Sequence, residues 1–292
     1  MVTKDPATPS DASLLAPTVD GTVYRWRFGE ASFTVDAGLG ARITEFCVGA
    51  ENILTSADVN PINFGSTCWT SPQSQWGWPP PPELDREPYE VVGTPPELEF
   101  RSRPAAALGM VIAKRFRVDP ERETFSVAYT FENLSQTPRT LAPWEISRHP
   151  VGGLTFFPKG DGVEGRSTLR SLDAEGAVWF DYDAGAITAH QKLFAHGAEG
   201  WAAHLDIARG MLLIKTFPAI AAAEQAPGEA QLEVYADPEH TYVELEQQGP
   251  YRTLEPGEKM DWTVVWRLRR LPAAIAAKAG NRDLLALVRA MI

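Results

Sequence analysis

Hydrophobic and polar residues alternate along much of this chain. Phe125, Val127, Tyr129 and Phe131 fall on one side of an extended segment, and Thr124, Ser126, Ala128 and Thr130 on the other, which is the two-residue period of a half-buried strand. Trp262, Val264, Trp266 and Leu268 repeat the pattern, and shorter runs at residues 24–28, 42–47, 110–118, 201–206 and 212–217 predict further strands. Turn chemistry separates them: Asp20-Gly21, Asp119-Pro120, residues 133–136, Gly152-Gly153, Pro227-Gly228 and Pro256-Gly257. With no strand-helix-strand rhythm and no repeat of fixed length, the pattern predicts an antiparallel meander folded as two large packed sheets. The period changes only at the end, where Leu284, Leu285, Leu287, Val288, Met291 and Ile292 recur at helical spacing after Asn281. That predicts a short C-terminal helix, capped by Asn281 and packed on the sandwich. The expected organisation is a tail at residues 1–19, a β-sandwich domain at 20–272 and a helical segment at 273–292.

Composition narrows the function. A formal charge of -11 over 292 residues opposes binding to nucleic acid or anionic lipid, which both require clustered Lys and Arg, so neutral small molecules are the expected partners. The longest apolar runs fall well short of a membrane span. The first residues lack an apolar signal core, so the expected location is the cytoplasm. Cys47 and Cys68 are the two cysteines; they form no disulfide framework or metal knuckle and are expected as buried free thiols. Nine Trp are present, several beside Gly, Pro and Gln rather than in apolar runs.

Three segments carry candidate chemistry. Residues 68–78 bring Trp69, Trp76 and Trp78 together with Gln73 and Gln75, followed by a proline run. The prolines argue against a regular central strand here. The rings either stack on a sugar whose hydroxyls the glutamines bind, or plug one end of the sandwich. In residues 142–150, read as extended, Glu145, Ser147 and His149 share one face and Trp144, Ile146 and Arg148 the other. The first face offers a group that titrates near neutrality, or is simply a solvated surface. In residues 242–251, Val243 and Leu245 face the core and leave Glu244 and Glu246 side by side, about 7 Å apart on the opposite face. Such a pair yields a base beside an anion, or merely faces water. Lys215 is either a cleft cation or a surface lysine. The dispersed histidines give no metal motif, and no metal or organic cofactor is expected.

Taken in order, these segments resemble the galactose mutarotase-like superfamily, which includes the aldose 1-epimerases. Gly40-Ala41-Arg42-Ile43 is similar to that family's early Gly-Ala strand, residues 68–78 to its Trp/Pro-rich segment, and residues 133–149 to the stretch holding its catalytic histidine. Val243-Glu244-Leu245-Glu246-Gln247-Gln248 resembles the late strand that carries its catalytic glutamate. The resemblance covers about residues 20–270. It implies a single antiparallel β-supersandwich, with Glu246 as general base and His149 as the acid, Arg148 or Glu145 being the alternatives for that site. Where mutarotases show Asn-His-aromatic, this chain has Trp144-Glu145-Ile146-Ser147-Arg148-His149.

The expected activity is therefore that of an aldose 1-epimerase-like isomerase, opening the sugar ring by general acid/base transfer at the anomeric carbon. Trp69, Trp76, Trp78 and Trp144 would stack on the sugar, and Gln73, Gln75, Arg148, Lys215 and Glu244 would orient it. A carbohydrate-binding protein without turnover is the alternative, and a glycoside-cleaving enzyme using Glu145 and Glu246 a third. The expected assembly is a monomer or homodimer.

Overall fold

The computed structural model describes residues 15–160 and 166–292. Residues 1–14, most of the expected tail, lie outside the described residues. The alternation seen in the sequence becomes two antiparallel sheets. One runs in the order Thr18–Asp20, Val23–Phe28, Ala31–Asp36, Arg42–Val48, Ser66–Ser71, Arg139–His149, Val243–Gln248, Leu232–Ala236 and Gln191–Ala195. Glu51–Asn52 and Arg252–Leu254 add short pairings to it. The other runs Leu172–Ala174, Ala177–Asp181, Leu154–Pro158, Trp201–Asp206, Met211–Thr216, Lys259–Arg270, Thr124–Asn133, Met110–Asp119, Glu97–Arg101 and Glu90–Thr94.

The longest strands pair in the register their pattern requires. Phe125 lies opposite Trp266, Val127 opposite Val264, Tyr129 opposite Trp262 and Phe131 opposite Met260, so every large side chain of this pair points into the space between the sheets. Phe33, Phe46, Phe116, Phe125 and Trp266 meet there ring against ring. Arg282–Arg289 forms the C-terminal helix, with the Asn281 side chain accepting from the Asp283 and Leu284 amides at 2.8 and 3.2 Å. Its Leu284, Leu285 and Val288 bury against Phe156, Trp179, Trp201 and Leu212 on the far side of the second sheet. Both cysteines are buried free thiols. No helix among the described residues is long and apolar enough to cross a membrane.

One expectation needs correction. Cys68–Ser71 does belong to a regular central strand, Ser66–Ser71, seated between Arg42–Val48 and Arg139–His149. The prolines begin only at Pro72, so the backbone donors before it remain free to pair. After Pro72 the chain turns through a single 3-10 turn, Gln73–Gln75.

Candidate functional site

Strand register decides which side chains share the outer face of the first sheet. Trp69 stands opposite Trp144, which stands opposite Gln248. In the next row Thr67, Ile146, Glu246, Glu233 and Phe194 follow one another across five strands. The third row is Arg148, Glu244, Tyr235 and Lys192. Their alternates Cys68, Leu245, Val234 and Leu193 go into the core between the sheets, because successive side chains point to opposite faces.

Glu246 lies at the centre of this grid. Its Oε2 accepts from Trp144 Nε1 at 2.9 Å and Lys192 Nζ at 3.0 Å, while its fully buried Oε1 has no hydrogen-bond partner. Lys192 also reaches Glu233 at 2.6 Å and sits 5.1 Å from the Trp144 ring centre. Glu233 is held further by the Ala230 amide at 2.9 Å and Gln248 Nε2 at 3.1 Å. Arg148 donates to Glu244 at 2.8 Å and Thr67 at 3.2 Å, and its guanidinium lies 5.3 Å from the Trp69 ring. The Trp69 indole donates to Asp85 at 3.0 Å, which in turn pairs with Arg42. Trp76 covers the pair, with its ring 5.7 Å from Trp69 and 6.3 Å from Trp144. Trp69 and Trp144 are buried, whereas Trp78 is 57 % exposed at the rim.

Burial sets the electrostatics. Removal from water raises Glu233 to about 7 and Glu244 to about 7, and pushes Glu246 above the ordinary carboxylate range as well. Burial works against the Lys192 charge too, but Glu246 and Glu233 together outweigh it and hold the ammonium above its usual value. The site thus contains carboxyl groups that hold or release a proton near neutrality, beside a fixed cation. Among the described residues no group of three or more His, Cys, Asp or Glu is placed to hold a metal ion.

The expected faces of Arg139–His149 are those observed, but they do different things. Glu145, Ser147 and His149 point inward between the sheets, not to solvent and not to the Glu246 side. Lys215, from the opposing sheet, donates to Glu145 at 2.9 Å and Ser147 at 2.8 Å and lies 3.8 Å from the Trp266 ring centre. Glu145 also accepts from Tyr129 and Gln247. His149 bonds Ser147 at 2.9 Å and the Ile53 carbonyl at 3.0 Å, and stacks on His204 at 4.2 Å. All four of Glu145, His149, His204 and Lys215 are fully buried.

The expectation that His149 and Glu246 face one sugar is therefore corrected, because Glu246 lies opposite Ile146 and the odd-numbered neighbours of Ile146 project through the other side of the sheet. The same parity separates Glu145 from Glu246, which removes the carboxylate pair needed for glycoside cleavage. Lys215 belongs to the inter-sheet network rather than to a cleft.

The glutamines of the Trp-rich turn also part company. The main-chain N–H of Gln73 donates to Glu229 at 3.1 Å at the edge of the grid. Gln75 turns away to the Thr140 carbonyl at 2.9 Å and lines a separate cavity of about 440 Å³ with Arg139 and Tyr251. Neither this cavity nor one of about 460 Å³ beside Tyr89 and Arg101 includes Glu246. Sequence reasoning missed Lys192, Glu229, Glu233 and Tyr235. The signal was there in the alternation of Leu232, Val234 and Ala236 with Glu233 and Tyr235, a run short enough to pass as a loop between the Pro227-Gly228 and Asp237-Pro238 turns.

Residues 49–269 match the family model described as a domain of unknown function, DUF4380. The chain belongs to the DUF4380 family. No curated protein matches the sequence of this DUF4380 chain. Among solved structures it is similar to a galactose mutarotase related enzyme from Lactobacillus acidophilus, with a TM-score of 0.60 at 9% identity, covering 86% of this chain and 98% of that one. It is similar also to a galactose mutarotase-like protein from Lactobacillus casei, with a TM-score of 0.56 at 13% identity over 85% and 100% of the two chains. A galactose mutarotase-like protein from Clostridium acetobutylicum gives 0.54 at 10% over 85% and 95%. Identities this low carry the fold alone: the DUF4380 chain has the galactose mutarotase-like β-sandwich.

Proposed function

We propose that this protein binds an aldose on the outer face of the first sheet and interconverts its anomers, as an aldose 1-epimerase-like isomerase. The observation that carries the reading is the fully buried Glu246, which keeps one carboxylate oxygen without a partner while Trp144 and Lys192 fix the other. A carboxylate anchored in this way is oriented as a general base, and the half-buried Trp76 and exposed Trp78 supply apolar surface for the C–H face of a sugar.

In this mechanism Glu246 Oε1 takes the proton of the anomeric hydroxyl. Glu233, which lies across the strand pair and is raised to about 7 by burial, gives a proton to the ring oxygen. The bond between C1 and the ring oxygen breaks and the open aldehyde forms. Rotation about C1–C2, re-attack of the oxygen on the other face of C1 and return of both protons complete the cycle, with no net proton change. Lys192 bonds both carboxyl groups and keeps them from repelling one another, while Arg148 and Glu244 orient hydroxyls at the neighbouring row.

Exchange NMR over a panel of aldoses tests the proposal. Wild type is expected to accelerate anomer exchange, and Glu246→Gln to slow it by about 100-fold or more. Sugar binding by wild type with no acceleration of exchange would overturn the isomerase reading and leave a carbohydrate-binding protein.

A further inference from the structure

The outer-face site holds more carboxyl groups than cations. Glu229, Glu233, Glu244 and Glu246 gather there around Lys192 and Arg148, and both cations are already engaged: Arg148 with Glu244, Lys192 with Glu233 and Glu246. Asp85 and Arg42 form a pair of their own at 3.3 Å. Glu229 makes no ion pair among the described residues. Its Oε1 accepts from the main-chain N–H of Gln73 at 3.1 Å, and Arg166 reaches only its main-chain carbonyl, at 3.2 Å. Burial raises the Glu229 carboxyl, Lys192 works against that rise, and the side chain also shares a hydrogen bond with Glu233. With one proton shared among the four carboxyl groups and the other three ionised, the group carries one negative charge more than Lys192 and Arg148 supply.

A second observation is independent of that count. The Glu246 oxygen without a partner is fully buried within the same group, an acceptor that a donor on a bound ligand can complete.

We propose that the site selects an aldose bearing an ammonium group next to the anomeric carbon, a 2-amino-2-deoxyaldose, and that Glu229 is the residue that reads the charge. The proposal rests on the anomeric reading above. An amine on C2 neighbours the anomeric hydroxyl, so Glu246 serves O1 while the ammonium meets the surrounding carboxylates. Glu229 approaches from the rim, fixed by the turn that also carries Trp76. A phosphorylated sugar finds no free cation here, because Arg148 and Lys192 are each committed to carboxylates. A neutral sugar leaves the extra charge uncompensated.

Calorimetric titration of the full chain with D-glucosamine and D-galactosamine, their parent hexoses, N-acetyl-D-glucosamine and D-glucosamine 6-phosphate, below the pKa of the sugar amine, tests this. At least one free amino sugar is expected to bind about tenfold or more tightly than its parent hexose, with the N-acetyl and phosphorylated forms weaker still. Glu229→Gln is expected to bring the ratio of amino sugar to parent close to one. Equal affinities in wild type, with anomer exchange of the parent still accelerated, overturn the ammonium selection and leave the anomeric reading standing. No binding of any sugar overturns both. A wild-type preference that survives intact in folded Glu229→Gln overturns the role of Glu229. Should that variant fail to fold, the wild-type ratio alone decides the selection.

Discussion

Glu145 and Glu246 stand one residue out of step on neighbouring strands, and that single step gives them opposite duties. Glu246 faces outward with an open oxygen. Glu145 faces inward, where Lys215 and Tyr129 tie it to the opposing sheet and Gln247 holds it from the neighbouring strand of its own sheet. Removing one partner of a buried pair leaves the other charge uncompensated, which costs more than the pair itself contributes. Lys215→Met is therefore expected to destabilise the fold by about 3–5 kcal/mol. The double variant Glu145→Gln/Lys215→Met should recover part of that loss. Urea unfolding of wild type, both singles and the double measures it, and strictly additive losses would show that the two groups do not act as a pair.

At the scale of elements, the site depends on Ser66–Ser71 entering the sheet at a fixed position. Gly65 makes that entry with φ +62, and a Cβ there would stand 2.3 Å from the Ile43 carbonyl oxygen. Both the backbone conformation and the space favour glycine. Gly65→Ala is expected to cost stability by more than 1 kcal/mol and to weaken the proposed sugar binding in parallel, since Thr67 and Trp69 follow directly on this strand. Thermal unfolding together with titration of a bound sugar checks both, and an unchanged melting temperature would show that the turn relaxes freely.

Much at this scale was legible beforehand. The predicted residues 201–206 are the observed Trp201–Asp206, and Asn281 caps the helix that its position announced. The two faces of Arg139–His149 were assigned correctly from alternation alone. The strand at Ser66–Ser71 was not, because three tryptophans and a downstream proline run outweighed a short stretch that pairs normally.

For the whole molecule, the space between the sheets is where pH acts on stability. Burial holds His149 well below the ordinary imidazole range and His204 down to about 4. The unfolded chain binds protons there that the folded one refuses, so this contribution is complete above about pH 6.5 and is lost as pH falls toward about 4. Glu233 and Glu244 act in the opposite sense, since a carboxyl raised to about 7 takes up its proton in the folded state first. The informative quantity is therefore the difference between wild type and His204→Gln. Between pH 6 and pH 4.5 wild type should lose stability relative to the variant by on the order of 1 kcal/mol per pH unit, read from urea midpoints at several pH values. Parallel curves would show that His204 takes no part.

The sequence by itself determined the period of the strands, the antiparallel class, the capped terminal helix and the sharing of one face by Glu244 and Glu246, because these follow from local spacing and backbone chemistry. It could not say which of two faces on Arg139–His149 meets the other sheet and which forms the outer face, since alternation defines two sides without labelling them. That choice is made by pairing with strands about 70 to 100 residues away. Tertiary structure alone decided that His149, Glu145 and Lys215 are sealed inside, and that Lys192, Glu229 and Glu233 come from distant segments to surround Glu246.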